Sequence, residues 1–205
     1  SSGAKQSIFT ALSVLLNPGD EVLLPAPCWL SYPEMVRMAG GVPVMVRGCE
    51  ENNFVVTADM LRPYVTDKTK ALVINTPNNP NGCIWSRAEL QAIADLAVER
   101  GFYVISDEIY EKLIYDDEKH CCIASLGPEI KKQAIIVNGV SKTYAMTGWR
   151  IGYAAGPKEI IKAMTSFQSH ASSNANSIAQ YAAATAISCG DKYIRSMIDE
   201  YNARR

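Results

Sequence analysis

Several features that this 205-residue sequence lacks exclude broad classes of protein. No apolar run approaches the roughly 20 residues that a membrane-spanning helix needs, so we do not expect a membrane partner. Acidic and basic residues nearly balance, at 21 against 20, and no basic run or stripe stands out. Because nucleic acids and anionic lipids recruit clustered positive charge, the sequence does not favour a nucleic acid as a partner either.

The cysteines lack the spacing of a disulfide framework or a metal site. None of the six forms a C-x-x-C pair, and they are scattered over the chain: Cys28, Cys49, Cys83, Cys121, Cys122 and Cys189. A chain of this length can bury a core without disulfides, so we expect free, buried thiols and a cytoplasmic location. Adjacent side chains such as His120, Cys121 and Cys122 rarely converge on one ion, so we expect no metal.

Two common nucleotide-binding signatures are also missing. The G-x-x-x-x-G-K-[ST] loop of the P-loop enzymes is absent, and no G-x-G-x-x-G follows the early apolar runs. The sequence therefore disfavours both a P-loop fold and a nicotinamide-binding Rossmann domain.

Alternating strand and helix patterns are present. Apolar runs rich in β-branched residues predict six strands, at 21–24, 42–46, 71–75, 103–106, 135–138 and 150–155. Helical periodicity predicts helices at 4–16, 59–64, 86–100 and 158–167, and two more within 177–205 that break near Gly190. Ser86 and Glu89 form a capping box at the start of one helix, and Gly101 ends it. This alternation predicts a three-layer α/β/α domain with a mainly parallel sheet.

Polar residues follow three of the predicted strands. Asn75 leads into the segment 76–82, Ser106 leads into 107–110, and Asn138 leads into 139–142. Ligands of open parallel sheets bind outside the carboxyl ends of the strands. The sequence therefore predicts a small-molecule site that these three segments build together.

Lys142 and Asp107 are the candidates for chemistry at this site. A lysine at a strand end can point into a crevice, where its amine can form a Schiff base with a carbonyl group. A lysine after a strand is more often a solvated surface residue, so Lys142 alone is a weak signal. A carboxylate at the inner end of an apolar strand, such as Asp107, needs a partner. That partner is either a cofactor's ring nitrogen or, with equal weight, a helix cap or a structural ion pair.

Two segments distant in sequence could bind a phosphate. The guanidinium of Arg150 suits bidentate binding of phosphate. Arg150 also begins a predicted apolar strand, where an arginine without a binding partner is less common than on the surface. Gly3, Ala4 and Lys5 precede or begin a predicted helix, whose N-terminal N–H groups attract anions. Small residues before a helix are common, so the second feature is weak alone.

Three further residues in loops after strands could contact a cofactor. Trp29 could stack on an aromatic ring, although core packing is the commoner use of a single tryptophan. Asn79 and Tyr110 could bond a ring hydroxyl, although a turn asparagine and a half-buried tyrosine are the simpler interpretations.

The order of these pieces resembles the class I/II aminotransferases, within the fold-type I enzymes that use pyridoxal 5′-phosphate (PLP). The matching stretches are SGAKQ at 2–6, PAPCWLSYPEM at 25–35, TPNNPNG at 76–82, SDEIYE at 106–111 and SKTYAMTGWRIGY at 141–153. They span nearly the whole chain, and two of them resemble bacterial aspartate aminotransferases and their prephenate-using relatives most closely.

The resemblance implies a role for each candidate residue. Lys142 would hold PLP as a Schiff base and move the substrate's α-proton, and Asp107 would pair with the ring nitrogen. Asn79 and Tyr110 would bond the cofactor's 3-oxygen, and Trp29 would stack on its ring. The phosphate would be surrounded by Gly3, Ala4, Lys5, Ser141 and Arg150, with the backbone N–H of Lys5 mattering more than its charge.

The resemblance also identifies departures and missing parts. Gly139 stands where many relatives have Ser or Thr, which leaves more of the phosphate binding to Arg150, and Asn81 replaces a common Thr. Relatives are longer, and this chain starts without a methionine. We therefore expect residues 1–205 to be the PLP-binding large domain alone, without the N-terminal arm and the C-terminal small domain that carries the arginine for the substrate carboxylate.

The expected function is transfer of an amino group from an amino acid to a 2-oxo acid, with aspartate as the leading candidate for the amino donor. We expect the enzyme to act as a homodimer. Aspartate follows from the resemblance alone. A C–S β-lyase or an aromatic or prephenate aminotransferase on the same fold is the runner-up. A PLP-binding sensor domain of a transcription regulator is the alternative from another class, and a DNA-binding segment before this domain would distinguish it.

Overall fold

The protein is described by a computed structural model, which covers residues 1–116 and 118–205. Six strands form one sheet: β1 (Glu21–Ala26), β2 (Val42–Arg47), β3 (Thr69–Asn75), β4 (Tyr103–Asp107), β5 (Ala134–Gly139) and β6 (Gly152–Ala155). Their order is β2-β1-β3-β4-β5-β6, and every neighbouring pair is parallel except β5 and β6. The prediction of a mainly parallel sheet is confirmed.

Helices connect and cover these strands. In chain order they are α1 (Ala4–Leu15), α2 (Ser31–Met38), α3 (Ala58–Leu61), α4 (Arg87–Arg100), α5 (Pro128–Lys131), α6 (Lys158–Ala171), α7 (Ser177–Ser188) and α8 (Arg195–Arg204). Short 3₁₀ turns lie at Glu50–Asn52, Arg62–Tyr64, Ile123–Ser125, Thr147–Trp149 and Gly190–Tyr193. The last of these is the predicted break in the C-terminal segment.

Two separate apolar cores lie on opposite faces of the sheet, because successive strand residues point to opposite sides. On β1, for example, Val22 and Leu24 belong to the core that α1, α2 and α6 cover. Leu23, between them, belongs to the core that α3, α4 and α5 cover. Helices on both faces of one sheet make the three-layer α/β/α arrangement that the sequence predicts.

The boundaries of α4 follow from its sequence. The Ser86 side chain accepts a hydrogen bond from the Glu89 N–H, and the Glu89 carboxylate accepts one from the Ser86 N–H. Gly101 ends the helix in the left-handed conformation, at φ 74°. Both signals were predicted from the sequence, and both are confirmed.

Three details of the prediction are wrong. Helices α2 and α5 were not predicted; Pro33 obscured the first, although proline is tolerated in a first helical turn. The last strand begins at Gly152, so Arg150 precedes it and adopts a left-handed backbone at φ 55°. All six cysteines are free as expected, but none is fully buried, and Cys49 and Cys189 are exposed.

Over residues 1–116 and 118–205, no helix is both long and apolar enough to cross a membrane.

Candidate active site

The carboxyl ends of β3, β4 and β5 meet at one edge of the sheet. Asn75 pairs in register with Asp107, and Asp107 pairs with Val137. A cavity of about 270 Å³ lies there. Nine of the ten predicted site residues line it: Ala4, Lys5, Trp29, Asn79, Asp107, Tyr110, Ser141, Lys142 and Arg150. The strand-end rule therefore located the cavity from the sequence.

Asp107 lies at the floor of this cavity and is almost completely buried, with 4% of its surface exposed. Its Oδ2 accepts a hydrogen bond of 2.7 Å from the Tyr32 hydroxyl, and its Oδ1 accepts one of 3.2 Å from the Ile109 N–H. Each carboxylate oxygen can accept more than one hydrogen bond, so both retain capacity for a ligand's N–H.

Burial dominates the electrostatics of Asp107. Loss of water raises the pKa of its carboxyl group from 3.8 to about 6, against the opposing effect of the Tyr32 and Ile109 hydrogen bonds. The Glu108 charge raises the pKa further and Lys142 lowers it. A cation at this position would reverse the main effect, because it would favour the ionised carboxylate.

Tyr32 is a site residue that the sequence reasoning missed. It lies on α2, is 2% exposed, and also meets Trp29 edge to face at 5.4 Å between ring centroids. Burial, followed by the Asp107 charge, raises the pKa of its phenol well above 10. Tyr32 therefore stays a neutral donor to Asp107. It contacts both Asp107 and Trp29, two of the residues predicted to bind a cofactor.

Lys142 enters the cavity from the turn that follows β5. Its side chain is half-buried, and its Nζ lies 5.7 Å from the centroid of the Tyr110 ring. Burial, followed by the Asp107 charge, raises the pKa of Tyr110, and a hydrogen bond with Asn79 opposes both. The structure thus brings Lys142, Tyr110, Asn79 and Asp107 together around one space.

The predicted anion site lies at the N-terminus of α1. Gly3 precedes the helix at φ 84°, no side chain caps the first turn, and no acidic residue lies in it. The first N–H groups of a helix have no partner within it, so they are available to an anion. Gly152 is equally necessary, because a Cβ there would come within 2.3 Å of the Ala4 nitrogen.

Arg150 lies against this turn. A Cβ on Gly3 would approach its Nη2 to 2.2 Å, so a larger residue would displace the guanidinium, and the left-handed backbone at φ 84° favours glycine as well. Arg150 also donates to the backbone carbonyls of Thr147, at 2.8 Å, and Ser2, at 3.4 Å. The left-handed backbone of Arg150, rather than a strand start, aims the guanidinium at the helix N-terminus.

Lys5 and Gly139 are two positions at which the structure adds detail to the predicted phosphate site. The Lys5 ammonium lies over the Trp29 ring, 4.7 Å from its centroid, so the Lys5 side chain lines the cavity as well as its backbone. A Cβ on Gly139 would meet the Ile151 carbonyl oxygen at 2.7 Å. A Ser or Thr at this position would therefore require the backbone to shift.

A wider cleft of about 1160 Å³ adjoins the deep cavity. The two share four of the predicted residues, Asn79, Tyr110, Ser141 and Lys142. Lys142 therefore lies where the cleft and the cavity meet.

His120 pairs with a carboxylate from the end of β4. Its Nε2 lies 2.9 Å from an oxygen of Glu108, whose side chain is 3% exposed, and Ser106 donates to the other oxygen. This pairing explains how Glu108, next to Asp107, is accommodated in the interior.

These features define a class of protein. The cavity joins a buried carboxylate, a lysine amine and an anion cradle that favours glycine at position 3. Such a donor set fits a cofactor with a basic ring nitrogen, a carbonyl group and a phosphate, which is the composition of PLP. The fold and the site are those of an α/β domain that binds PLP.

Comparison with known proteins identifies the family. The sequence profile described as "Aminotransferase class I and II" matches residues 1–205. The chain is 52% identical over 202 residues to an aspartate aminotransferase of Geobacillus stearothermophilus, covering 98% of this chain and 51% of that protein. It is 46% identical over 206 residues to an aspartate/prephenate aminotransferase of Thermus thermophilus, covering 99% and 52%.

A solved structure agrees with this. The Thermus thermophilus aspartate aminotransferase with maleate superimposes with a TM-score of 0.90 at 44% identity, over 99% of this chain and 52% of that one. The chain belongs to the class I and II aminotransferases, which depend on PLP. It spans about half the length of the curated relatives that it matches.

Proposed function

We propose that this chain is the PLP-binding large domain of an aminotransferase, which transfers the amino group of an amino acid to a 2-oxo acid. Aspartate is the first candidate for the amino donor. The observation that carries the proposal is the single cavity lined by Lys142, Asp107 and Arg150 at the N-terminus of α1. Relatives at 44–52% identity are named aspartate aminotransferases, which favours an acidic substrate.

Each residue has a task in this proposal. Bound PLP supplies an electron sink next to the substrate's α-carbon. Arg150, Ser141 and the N–H groups of α1 hold the phosphate. Asp107 accepts the N–H of the ring nitrogen and, as a carboxylate, keeps that nitrogen protonated.

The remaining residues orient the ring and move the proton. Asn79 and Tyr110 donate hydrogen bonds to the ring's 3-oxygen, and Trp29 packs on the ring. Lys142 would hold the cofactor before substrate binds, and its free amine would then serve as the base that accepts the proton of the substrate's α-carbon and as the acid that donates it again. Tyr32 keeps Asp107 aimed at the ring.

We propose that the whole protein continues beyond this domain, since the chain spans about half of its relatives. A small domain would supply the arginine for the substrate's α-carboxylate, and an N-terminal arm would reach a second subunit of a homodimer. Six free thiols suit a reducing compartment, so we place the protein in the cytoplasm.

Prephenate is the second candidate substrate, because the Thermus thermophilus relative at 46% identity is named an aspartate/prephenate aminotransferase. The test is a coupled assay of the full-length protein with PLP and aspartate, using 2-oxoglutarate or prephenate as the acceptor. We expect turnover with aspartate and 2-oxoglutarate. Absence of any amino-group transfer from a panel of amino acids, with PLP bound, would refute the proposal.

A further inference from the structure

Asn75 joins two parts of the site that are separate in sequence. It is the last residue of β3, lies opposite Asp107 on β4, and is 3% exposed. Its Nδ2 donates a hydrogen bond of 2.8 Å to the Asp107 carbonyl oxygen. Its Oδ1 accepts one of 2.8 Å from the Asn79 N–H. One buried amide therefore touches the backbone of both residues.

The two bonds are not equivalent. The Asp107 carbonyl oxygen also accepts from the Thr76 N–H, at 3.2 Å, and β4 is held in the sheet on both sides. Within the described residues, the Asn79 N–H donates to no backbone carbonyl. The position of the Asn79 N–H therefore depends on the Asn75 side chain, whereas the backbone of Asp107 is fixed by the sheet.

The distance between Asn79 and Asp107 matters for chemistry. In the proposed function, Asp107 meets the ring nitrogen and Asn79, with Tyr110, meets the 3-oxygen, so both contact one rigid ring. A displacement of either residue would weaken one contact when the other forms, because the ring cannot stretch. Small errors in such positions have large effects on rate.

We propose that Asn75 is a positioning residue, which fixes the Asn79 loop relative to Asp107 so that both reach the same cofactor ring. The proposal rests on the proposed function. Donors at the 3-oxygen stabilise its negative charge. Loss of Asn75 would therefore weaken cofactor binding and raise the pH at which the bound cofactor loses its proton.

A matched control is available three residues further along. Asn78 is also buried, at 7% exposed, and its Nδ2 donates to the Pro27 carbonyl, at 3.0 Å, and to Asn81 Oδ1, at 2.7 Å. It has the same side chain and the same number of side-chain hydrogen bonds, but those bonds go to Pro27 and Asn81 rather than to Asp107 or Asn79. A purely structural role for Asn75 would make the two asparagines behave alike.

The experiment uses the full-length protein with PLP and compares wild type with Asn75→Ala, Asn75→Thr and Asn78→Ala. Threonine nearly preserves the side-chain volume, but its shorter side chain cannot make both hydrogen bonds. Asn75→Thr therefore tests the proposal if Asn75→Ala does not fold. We measure melting temperature, the dissociation constant for PLP, and the pH dependence of the visible absorption of bound PLP.

We expect each Asn75 variant to bind PLP about tenfold more weakly, as loss of a buried hydrogen bond predicts, and to change absorption at a higher pH than wild type. Asn78→Ala should lower the melting temperature without moving the absorption profile. If the Asn75 variants match the Asn78 variant in both PLP measurements, the proposal is wrong. A wild-type protein that binds no PLP would instead refute the proposed function.

Discussion

At the scale of single residues, the unusual state of Asp107 links stability to chemistry. Its folded pKa is about 6, above the ordinary value of 3.8, so the folded protein binds the proton more tightly than the unfolded chain does. The free energy of unfolding therefore falls as the pH rises from about 4 to above 6, by about 3 kcal/mol from this group alone. A carboxylate held by a salt bridge has the opposite pH dependence, because its contribution to stability is lost as the pH falls.

The first prediction concerns the cofactor-free protein. Asp107→Asn keeps the shape of the side chain and cannot ionise, so it should be more stable than wild type at pH 7 and about equally stable at pH 4. Urea denaturation at several pH values measures the difference, and the other carboxylates cancel in the comparison. A stability gap that does not change with pH would contradict the assigned pKa.

The second prediction concerns catalysis by the same residue. Asp107→Ala in the full-length enzyme should still bind PLP through the phosphate contacts but lose most turnover, because the ring nitrogen is no longer kept protonated. The loss should fall on kcat rather than on KM alone. Near-normal kcat would count decisively against the role.

Tyr32→Phe is the third test, and it separates the hydroxyl from the ring. The variant retains the aromatic contact with Trp29 and loses only the 2.7 Å bond to Asp107. Since that bond lowers the pKa of Asp107, we expect the stability loss described above to extend to higher pH in the variant. An unchanged pH profile would show that the hydroxyl does not influence the carboxylate.

At the scale of elements, the alternation of apolar runs and helical periods predicted the sheet, because each pattern depends on neighbouring residues alone. Asp107 and Lys142 were found from local sequence too, Asp107 at the end of an apolar strand and Lys142 in the turn that follows one. Tyr32 and Asn75 were missed because their roles depend on partners 75 and 32 positions away. The left-handed backbone of Arg150 was also missed, since no local sequence pattern indicates it and the guanidinium bonds Ser2, 148 positions away.

A fourth prediction belongs to the segment between β4 and α5. His120 comes from this segment and pairs with the buried Glu108, so it attaches the segment to the end of β4. His120→Ala should lower the free energy of unfolding by about 1–3 kcal/mol, because it removes one of the hydrogen bonds to the buried Glu108 carboxylate and leaves the Ser106 hydroxyl as its donor. The only other histidine, His170, is exposed, so His170→Ala is the control and should have almost no effect.

If both histidine variants unfold at the same denaturant concentration as wild type, the Glu108–His120 pair does not hold the segment. Activity is a second readout, because Glu108 adjoins Asp107 and a displaced strand end would also disturb the cavity.

At the scale of the whole molecule, our proposal assigns the cofactor contacts to this domain and the arginine for the substrate carboxylate to a further domain. We predict that residues 1–205 alone do not transaminate, even when folded with PLP. The substrate's α-carboxylate would lack its arginine, and orientation of this kind is worth about 7–11 kcal/mol. Closure over the substrate would also be missing. Comparable kcat/KM for this chain and the full-length protein would contradict that prediction.

The central claim is that Lys142 holds PLP, and one measurement tests it directly. Full-length protein is incubated with PLP and reduced with borohydride, which makes the bond between lysine and cofactor permanent, and its peptides are then mapped by mass spectrometry. The account predicts a single modified peptide, with the adduct on Lys142. An adduct on another lysine, or none at all, would contradict it.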